Sequence, residues 1–410
     1  MQQAAPVGQE EGYEQRKQIR RRLYFLSGFD PRGAAFYYRL FAGQLQTYAS
    51  RQGRELQIGR RRGQPDPLLS AWQVQECQSG LPAGSLPLEV CFLHWDDIAR
   101  QNWPKNPLRL IWDGVGIYGW YVLGGGLLRI GGLAPAVALG GLWPLLFFGF
   151  WLVLTLTAAT GVATWLQPLG GLAVGAAVGG VMGLAMGGVV AMALAALGWK
   201  LAERLGVVWL YRSIRFTHRL GQARDAGLRQ RLGALAGRIL ALEEQNPAAE
   251  VLLVGHSSGS FVMAMLAAQL RREPAWGQSG LDQRLRLLSL GQNLANLAVH
   301  RQATGFHADL QLLAQEPRLP WLDVTSGDDF LCFAGVDPYA SCGLPCQGES
   351  YPVLRLIPLA QRQQLSNWWA LASHQFDLHF EYLRTAESAQ AGGFDFYALL
   401  LECHPEEIRP

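Results

Sequence analysis

The chain reads as an α/β fold, a mostly parallel sheet with helices on both faces, interrupted by a hairpin of two apolar helices of transmembrane length. Three observations carry that reading. From Ile130 to Trp199 there is no Asp, Glu, Lys, Arg or His. On both sides of this gap, strand-like apolar runs alternate with helix-like ones, the pattern of a parallel sheet covered by helices. Finally, "EVLLVGHSSGSFVMAMLAAQL", residues 250–270, sets a glycine–serine turn between a run of β-formers and a run of helix-formers.

Composition bounds the possibilities. The 410 residues allow two domains or one large domain with an insertion, and only 16% are charged against half that are apolar, below the quarter charged that is usual in soluble domains. A net charge of +3, with no long basic patch, argues against a nucleic-acid partner. The six cysteines, Cys77, Cys91, Cys332, Cys342, Cys346 and Cys403, are scattered. Nothing near the N-terminus reads as a secretion signal, which favours a reducing, cytoplasmic setting for the soluble part.

Residues 1–19 are polar and predict a flexible segment. In 20–113, "RRLYFLSGFD" predicts a strand ending in a Ser-Gly turn, and "PRGAAFYYRLFAGQLQTYAS" a helix opened by Pro31. "ELQIGRR", "AWQVQEC" and "LEVCFLHW" predict further strands. "DDIARQNW" starts a helix leading toward the membrane.

The insertion, 114–204, holds the charge-free stretch. About 20 apolar residues span a bilayer core, so crossings are expected near 137–159 and 172–197, joined by the uncharged "TGVATWLQPLGG". Gly171, Gly175, Gly179, Gly183 and Gly187 recur every four residues and are followed by Ala191 and Ala195. Such a stripe lets a second helix approach closely. The first crossing is the expected partner, and a second copy of the chain, forming a homo-oligomer, is the other. Lys105, Arg109 and Arg129 precede the hairpin and Lys200, Arg204, Arg212 and Arg215 follow it. The positive-inside rule therefore puts both flanks in the cytoplasm. Trp120, Trp143, Trp165, Trp199 and Trp209 fall near the expected ends of the crossings, where indoles favour the interface.

In 205–410, "HRLGQARDAGLRQRLGALAGRILALEEQ" predicts one long amphipathic helix. "AEVLLVG" reads as a strand buried on both faces. "RLRLLSLG", "WLDVTSG" and "PVLRLIPL" continue the sheet, with helices near 303–315 and 374–388. Neither half alone supplies a complete core, so the two halves form one domain with the hairpin inserted.

The turn at "GHSSG" has the form of a nucleophile elbow. That motif needs a strand, a serine in a strained turn, small residues two positions to either side, and a helix beginning at once. Gly255 and Gly259 are those residues for Ser257, and the backbone at Ser258 opens the helix that would face an oxyanion. An acid and then a histidine must follow in chain order. Asp328 and Asp329 lie in "WLDVTSGDDFLCF", and His374 and His379 in "SHQFDLHFEYL". The amides of Gly28 or Phe29, after the first strand, are candidates for the second oxyanion donor. The alternative for that turn is an ordinary loop capped by Asp30. His256 is expected to pack beneath the elbow.

These motifs resemble those of the α/β-hydrolase superfamily, its lipase-like and esterase-like serine hydrolases. "GHSSG" looks like the elbow and "SGFDPRG" like the oxyanion loop. The whole is similar to a group of bacterial proteins that carry a membrane hairpin within such a domain. The resemblance implies an α/β-hydrolase-type sheet, no cofactor, and a triad in which Asp329 and His379 are favoured over Asp328 and His374. It also implies an integral protein of a bacterial inner membrane with its catalytic domain cytoplasmic. The expected activity is hydrolysis of ester, thioester or lipid acyl bonds, on a small molecule or a lipid of the bilayer. The competing expectation is a catalytically silent membrane scaffold.

Other features read more plainly. Cys332, Cys342 and Cys346 lack a fourth zinc ligand at typical spacing, so no metal is expected. His300 and His307 read as surface histidines on a helix, and the turn-rich "DPYASCGLPCQGESYP" as a loop or lid.

Overall fold

The computed structural model describes residues 19–61, 66–76, 86–174, 176–224, 226–316, 319–344, 352–365, 367, 370–371, 374–386 and 394–401. The expected flexible segment therefore lies outside the described residues except for its last position, and so does part of the expected lid.

One eight-stranded sheet organises the chain. Its strands are β1 (Ile19–Leu26), β2 (Leu56–Ile58), β3 (Leu69–Glu76), β4 (Leu86–Leu93), β5 (Glu250–His256), β6 (Leu285–Leu290), β7 (Trp321–Thr325) and β8 (Val353–Leu356). They lie in the order β2-β3-β4-β1-β5-β6-β7-β8. β4, β1, β5, β6, β7 and β8 run parallel, and β3 is antiparallel to both of its neighbours. The insertion falls between β4 and β5 in sequence, yet β1 pairs with both strands, so the two halves share one sheet. Apolar clusters fill both faces of the sheet.

β1 begins with charges that the sheet buries. Arg22 donates to Glu89 on β4 at 2.7 Å and to Glu243 at 2.6 Å, both fully or nearly fully enclosed. Arg21 reaches Glu250 on β5 at 2.5 Å. Buried guanidinium groups are tolerated only when paired and hydrogen-bonded, and these pairs fix β1 between the two halves.

The helices used below are α1 (Gly33–Arg51), α2 (Asp96–Gln101), α3 (Pro107–Tyr118), α4 (Gly126–Leu133), α5 (Pro135–Val174), α6 (Ala176–Arg204), α7 (Val207–Gly221), α8 (Ala226–Gln245) and α9 (Gly259–Arg272). Two expectations for the sheet domain need correction. The single long helix expected from His218 is two, because Ala223 takes φ 55° and the chain turns between α7 and α8. The expected "ELQIGRR" strand shrinks to three residues at the sheet edge.

α5 and α6 are long and apolar enough to cross a membrane, and little of either is buried within the protein. The expected connection at 160–171 is helical, and the second helix starts at Ala176, not 172. Forty residues make α5 about 60 Å long at 1.5 Å per residue, twice a bilayer core of about 30 Å. α6 packs antiparallel on α5 through the glycine stripe. A Cβ on Gly183 would lie 2.5 Å from the Ala163 carbonyl oxygen, and one on Gly187 2.6 Å from that of Ala159. Trp151 Nε1 donates to Leu194 O at 2.7 Å.

At the base of the hairpin α3 exposes Leu108, Ile111, Trp112 and Val115, each at least two-thirds accessible. Their i, i+3, i+4, i+7 spacing makes one continuous apolar face. Among the basic flanks, Lys105, Arg109, Lys200 and Arg204 are exposed. Arg212 and Arg215 are buried, Arg215 against Asp113.

Asp323 on β7 is fully buried beside Ser289 of β6, whose hydroxyl donates to it. Burial pushes its carboxyl up to about 8. The folded protein then holds a proton that the unfolded chain releases near pH 4. The stability this contributes is complete below pH 4 and is lost as the pH rises through 8. Melting temperatures measured from pH 5 to 9 should fall across that range, and Asp323→Asn, which cannot titrate, should flatten the decline.

Candidate active site

β5 ends at His256 and α9 starts at Gly259, so the chain reverses over Ser257 and Ser258 at the carboxyl end of a central strand. Ser257 adopts φ 57°, a left-handed conformation that costs a non-glycine residue roughly 1–3 kcal/mol. Local bonds hold it there. Its N–H donates to Leu290 O at 2.9 Å, and its carbonyl accepts from Ser260 N at 2.9 Å and Ser260 Oγ at 2.6 Å.

The glycines at 255 and 259 are demanded by space. A Cβ on Gly255 would sit 2.5 Å from Gly259 O, and one on Gly259 2.5 Å from Ser27 O. The turn therefore crosses β1 at backbone contact. Gly28 is also close, since a Cβ there would lie 3.0 Å from Ser257 Cβ. The loop after β1 thus abuts the serine. Among the described residues the N–H groups of Gly28, Phe29 and Ser258 make no hydrogen bond, which leaves them to a ligand oxygen. The Phe29 ring anchors this loop by stacking on Phe216 at 4.6 Å. Asp30 also serves the loop, accepting from Arg32 N at 2.9 Å and Tyr37 Oη at 2.9 Å.

The acids and histidines separate clearly. His379, on the helix Gln375–Glu381, is buried and its Nδ1 lies 2.7 Å from Asp329 Oδ2. Asp329 follows β7 and also accepts from Tyr382 Oη at 3.1 Å and Leu331 N at 2.9 Å. A carboxylate can only accept, so Nδ1 of the neutral ring carries the proton and Nε2 presents a lone pair. That Nε2 is buried without a hydrogen-bond partner, and His379 and Ser257 line the same cavity. The other pair is occupied elsewhere. Asp328 Oδ2 accepts from Ala360 N at 2.9 Å, and the exposed His374 donates from Nδ1 to Ala370 O at 2.8 Å.

His256 does pack under the elbow, and it does more. Its Nε2 donates to the backbone carbonyl of His379 at 2.7 Å, and its ring lies 5.1 Å from that of His379. Burial, then the neighbouring His379, pushes its pKa down to about 3, so it stays a neutral donor.

The sequence reading missed Asn293, which caps the loop after β6. Its Nδ2 lies 3.4 Å from Ser257 Oγ and donates to Leu331 O at 3.0 Å, while its N–H binds Ser260 Oγ at 2.9 Å. A signal was present: "LSLGQN" ends the strand adjacent to β5, so its turn must open on the same sheet edge. The reading of His300 as a surface residue also fails. It is buried and stacks on Trp120 at 3.9 Å between ring centroids. Trp120 is itself half-buried, packed on His300 and lying 5.3 Å from His218. Among the described residues no cluster could hold a metal.

Comparison with models of protein families, with curated proteins and with solved structures gives no match to this chain.

The elbow's geometry sets a stability test. Gly259→Ala forces a Cβ into the backbone of β1 and should cost about 3 kcal/mol. Gly237→Ala, on α8 where nothing lies within 4 Å of the added carbon, should instead raise stability by about 0.5–1 kcal/mol. Chemical denaturation of the two variants beside the parent chain checks both signs.

Proposed function

We propose that the chain is a serine hydrolase of α/β-hydrolase type that cleaves ester, thioester or lipid acyl bonds. In this reading the α5–α6 hairpin anchors it in a membrane, a bacterial inner membrane, with the sheet domain on the cytoplasmic side. The observation that carries it is the Asp329–His379 pair, which leaves a buried, unpartnered Nε2 on the cavity that Ser257 enters.

The chemistry follows from those groups. Ser257 Oγ attacks the carbonyl carbon while its proton passes to His379 Nε2, and Asp329 stabilises the resulting imidazolium. The carbonyl oxygen becomes an anion beside the unpaired amides of Ser258 and of Gly28 or Phe29. Collapse breaks the bond to the leaving oxygen or sulfur, which takes the proton from His379. Water then attacks the acyl-serine, gives its proton to His379, and the acid leaves as Ser257 recovers its hydrogen. No cofactor enters any step.

One feature favours the competing reading of a silent scaffold. Among the described residues His379 Nε2 makes no hydrogen bond to Ser257 Oγ. In free enzymes such bonds are often long and tighten only around substrate, so the gap does not exclude catalysis.

Labelling of the full chain with a fluorophosphonate separates the two readings. Wild type should label and Ser257→Ala should not. Asp329→Asn should slow the reaction by about 10⁴, the loss expected when the histidine is held in the wrong tautomer. His379→Ala should be at least as damaging, and His374→Ala should label like wild type. A folded wild type that fails to label would favour the scaffold.

A further inference from the structure

The cavity reached by Ser257 and His379 is not walled by the sheet domain alone. Ile117 of α3, Trp120 and Tyr121 after it, Ile130 of α4 and Val137 of α5, the elements at the root of the hairpin, also line it. α7 contributes the apolar Leu210 and Ile214 and the polar Ser213, Thr217 and His218. Apolar and polar groups meet in one lining, where Trp120 stacks on His300 at 3.9 Å and lies 5.3 Å from His218.

The lining has no formal charge. None of the lining residues is Asp, Glu, Lys or Arg. Burial, then Arg224, pushes His218 down to about 4. His300 is pushed to about 3 by burial and then by His218. Both rings are neutral at pH 7, so no group of the lining gives a phosphate or ammonium headgroup a counter-charge in exchange for its lost hydration. A hydroxyl would not suffer this cost. His218 Nε2 lies 2.8 Å from Gln222 Nε2, whose amide hydrogens make the ring nitrogen an acceptor. Nδ1–H is then a donor, and it is buried with no partner among the described residues. An unpaired buried donor costs about 1–3 kcal/mol, which a ligand oxygen would relieve.

Size and surroundings place the rest of the ligand. The enclosed space is about 50 Å³, room for about four waters, enough for an ester and a small polyol but not for a long acyl chain. A longer chain has to extend out of it, and Ile117, Ile130 and Val137 are among the apolar lining groups it can follow. α3 also carries an exposed apolar face, whose Trp112 is 80% accessible. α3 packs on α7, and α7 on both α5 and α6, so this helix belongs to the root of the hairpin. A helix of this kind lies along a bilayer interface.

We infer that the cavity binds an uncharged acyl ester of a small polyol, drawn from the bilayer at the hairpin root, with its hydroxyls at Thr217 and His218 and its acyl chain along α3, α4 and α5. The inference deepens the hydrolase reading and rests on it for the fate of the ester. Binding itself does not require Ser257 to react.

The test is photo-crosslinking of a diazirine-bearing hexadecylglycerol ether to the full-length Ser257→Ala chain in phosphatidylcholine nanodiscs, with adducts mapped by peptide mass. Adducts should map to α7 and the Trp120 segment. Unlabelled hexadecylglycerol should compete and hexadecyl phosphate should not. His218→Leu should weaken capture about tenfold, the loss of one buried hydrogen bond. Equal competition by the phosphate, or adducts confined to α5 and α6, would overturn the inference. In parallel, the ether should protect wild-type Ser257 from the fluorophosphonate. Labelling without protection would overturn the substrate class while leaving the hydrolase, and crosslinking at α7 in a chain that never labels would leave the binding site while removing the hydrolase.

Discussion

The structure turns on the crossing of the Ser257 turn over β1. At Gly255 and Gly259 the backbones of β5, α9 and β1 approach so closely that no side chain fits. This contact fixes three things together. It sets the left-handed backbone at Ser257, it aims the start of α9 across the carboxyl edge of the sheet, and it presses Gly28 against the serine. The strain at Ser257 is maintained by Leu290 and Ser260, which bind its amide and carbonyl. Strain of this size persists only where neighbouring structure over-determines it, and such places are commonly functional.

The Ser257 turn is also tied to His379. His256, adjacent to Ser257, holds the backbone of the His379 helix through one buried hydrogen bond, and Tyr382 on that segment returns to Asp329. Motion of the helix therefore strains both ends of the site. The histidine is positioned by its main chain and its Nδ1, while its Nε2 has no partner among the described residues. The insertion belongs to the same unit, since residues of its root line the cavity.

What could be read from the sequence was set by residues whose role is local. Gly255, Ser257 and Gly259 reveal the elbow because backbone geometry restricts those positions to few residue types. β5 is legible as an uninterrupted apolar run, and the hairpin as seventy residues or so without charge. Tertiary relations were not legible. Nothing local in "RRRLYFL" says that Arg22 finds Glu89 and Glu243, so a strand that starts with buried charges looks like an exposed one. The choice of Asp329 over Asp328 depends on which carboxylate meets a helix 50 residues away. Asn293 and His300 do their work through contacts with segments remote in sequence, and single-residue patterns carry no trace of those contacts.

The glycine stripe shows the same limit within one helix. A spacing of four residues advances about 400°, or about 40° past a full turn per step. Over the steps from Gly179 to Ala195 the stripe must wind to another side of α6. The burial follows the geometry, not the motif: Gly179, Gly183 and Gly187 are buried, Ala191 is half-buried and Ala195 is exposed. The seam then shifts to Leu194, whose carbonyl takes the Trp151 indole, and to Gly198, which leaves space for that ring. The stripe thus serves α5 along its first turns, and a regular motif in the sequence becomes an interface only as far as the helix period lets it face its partner.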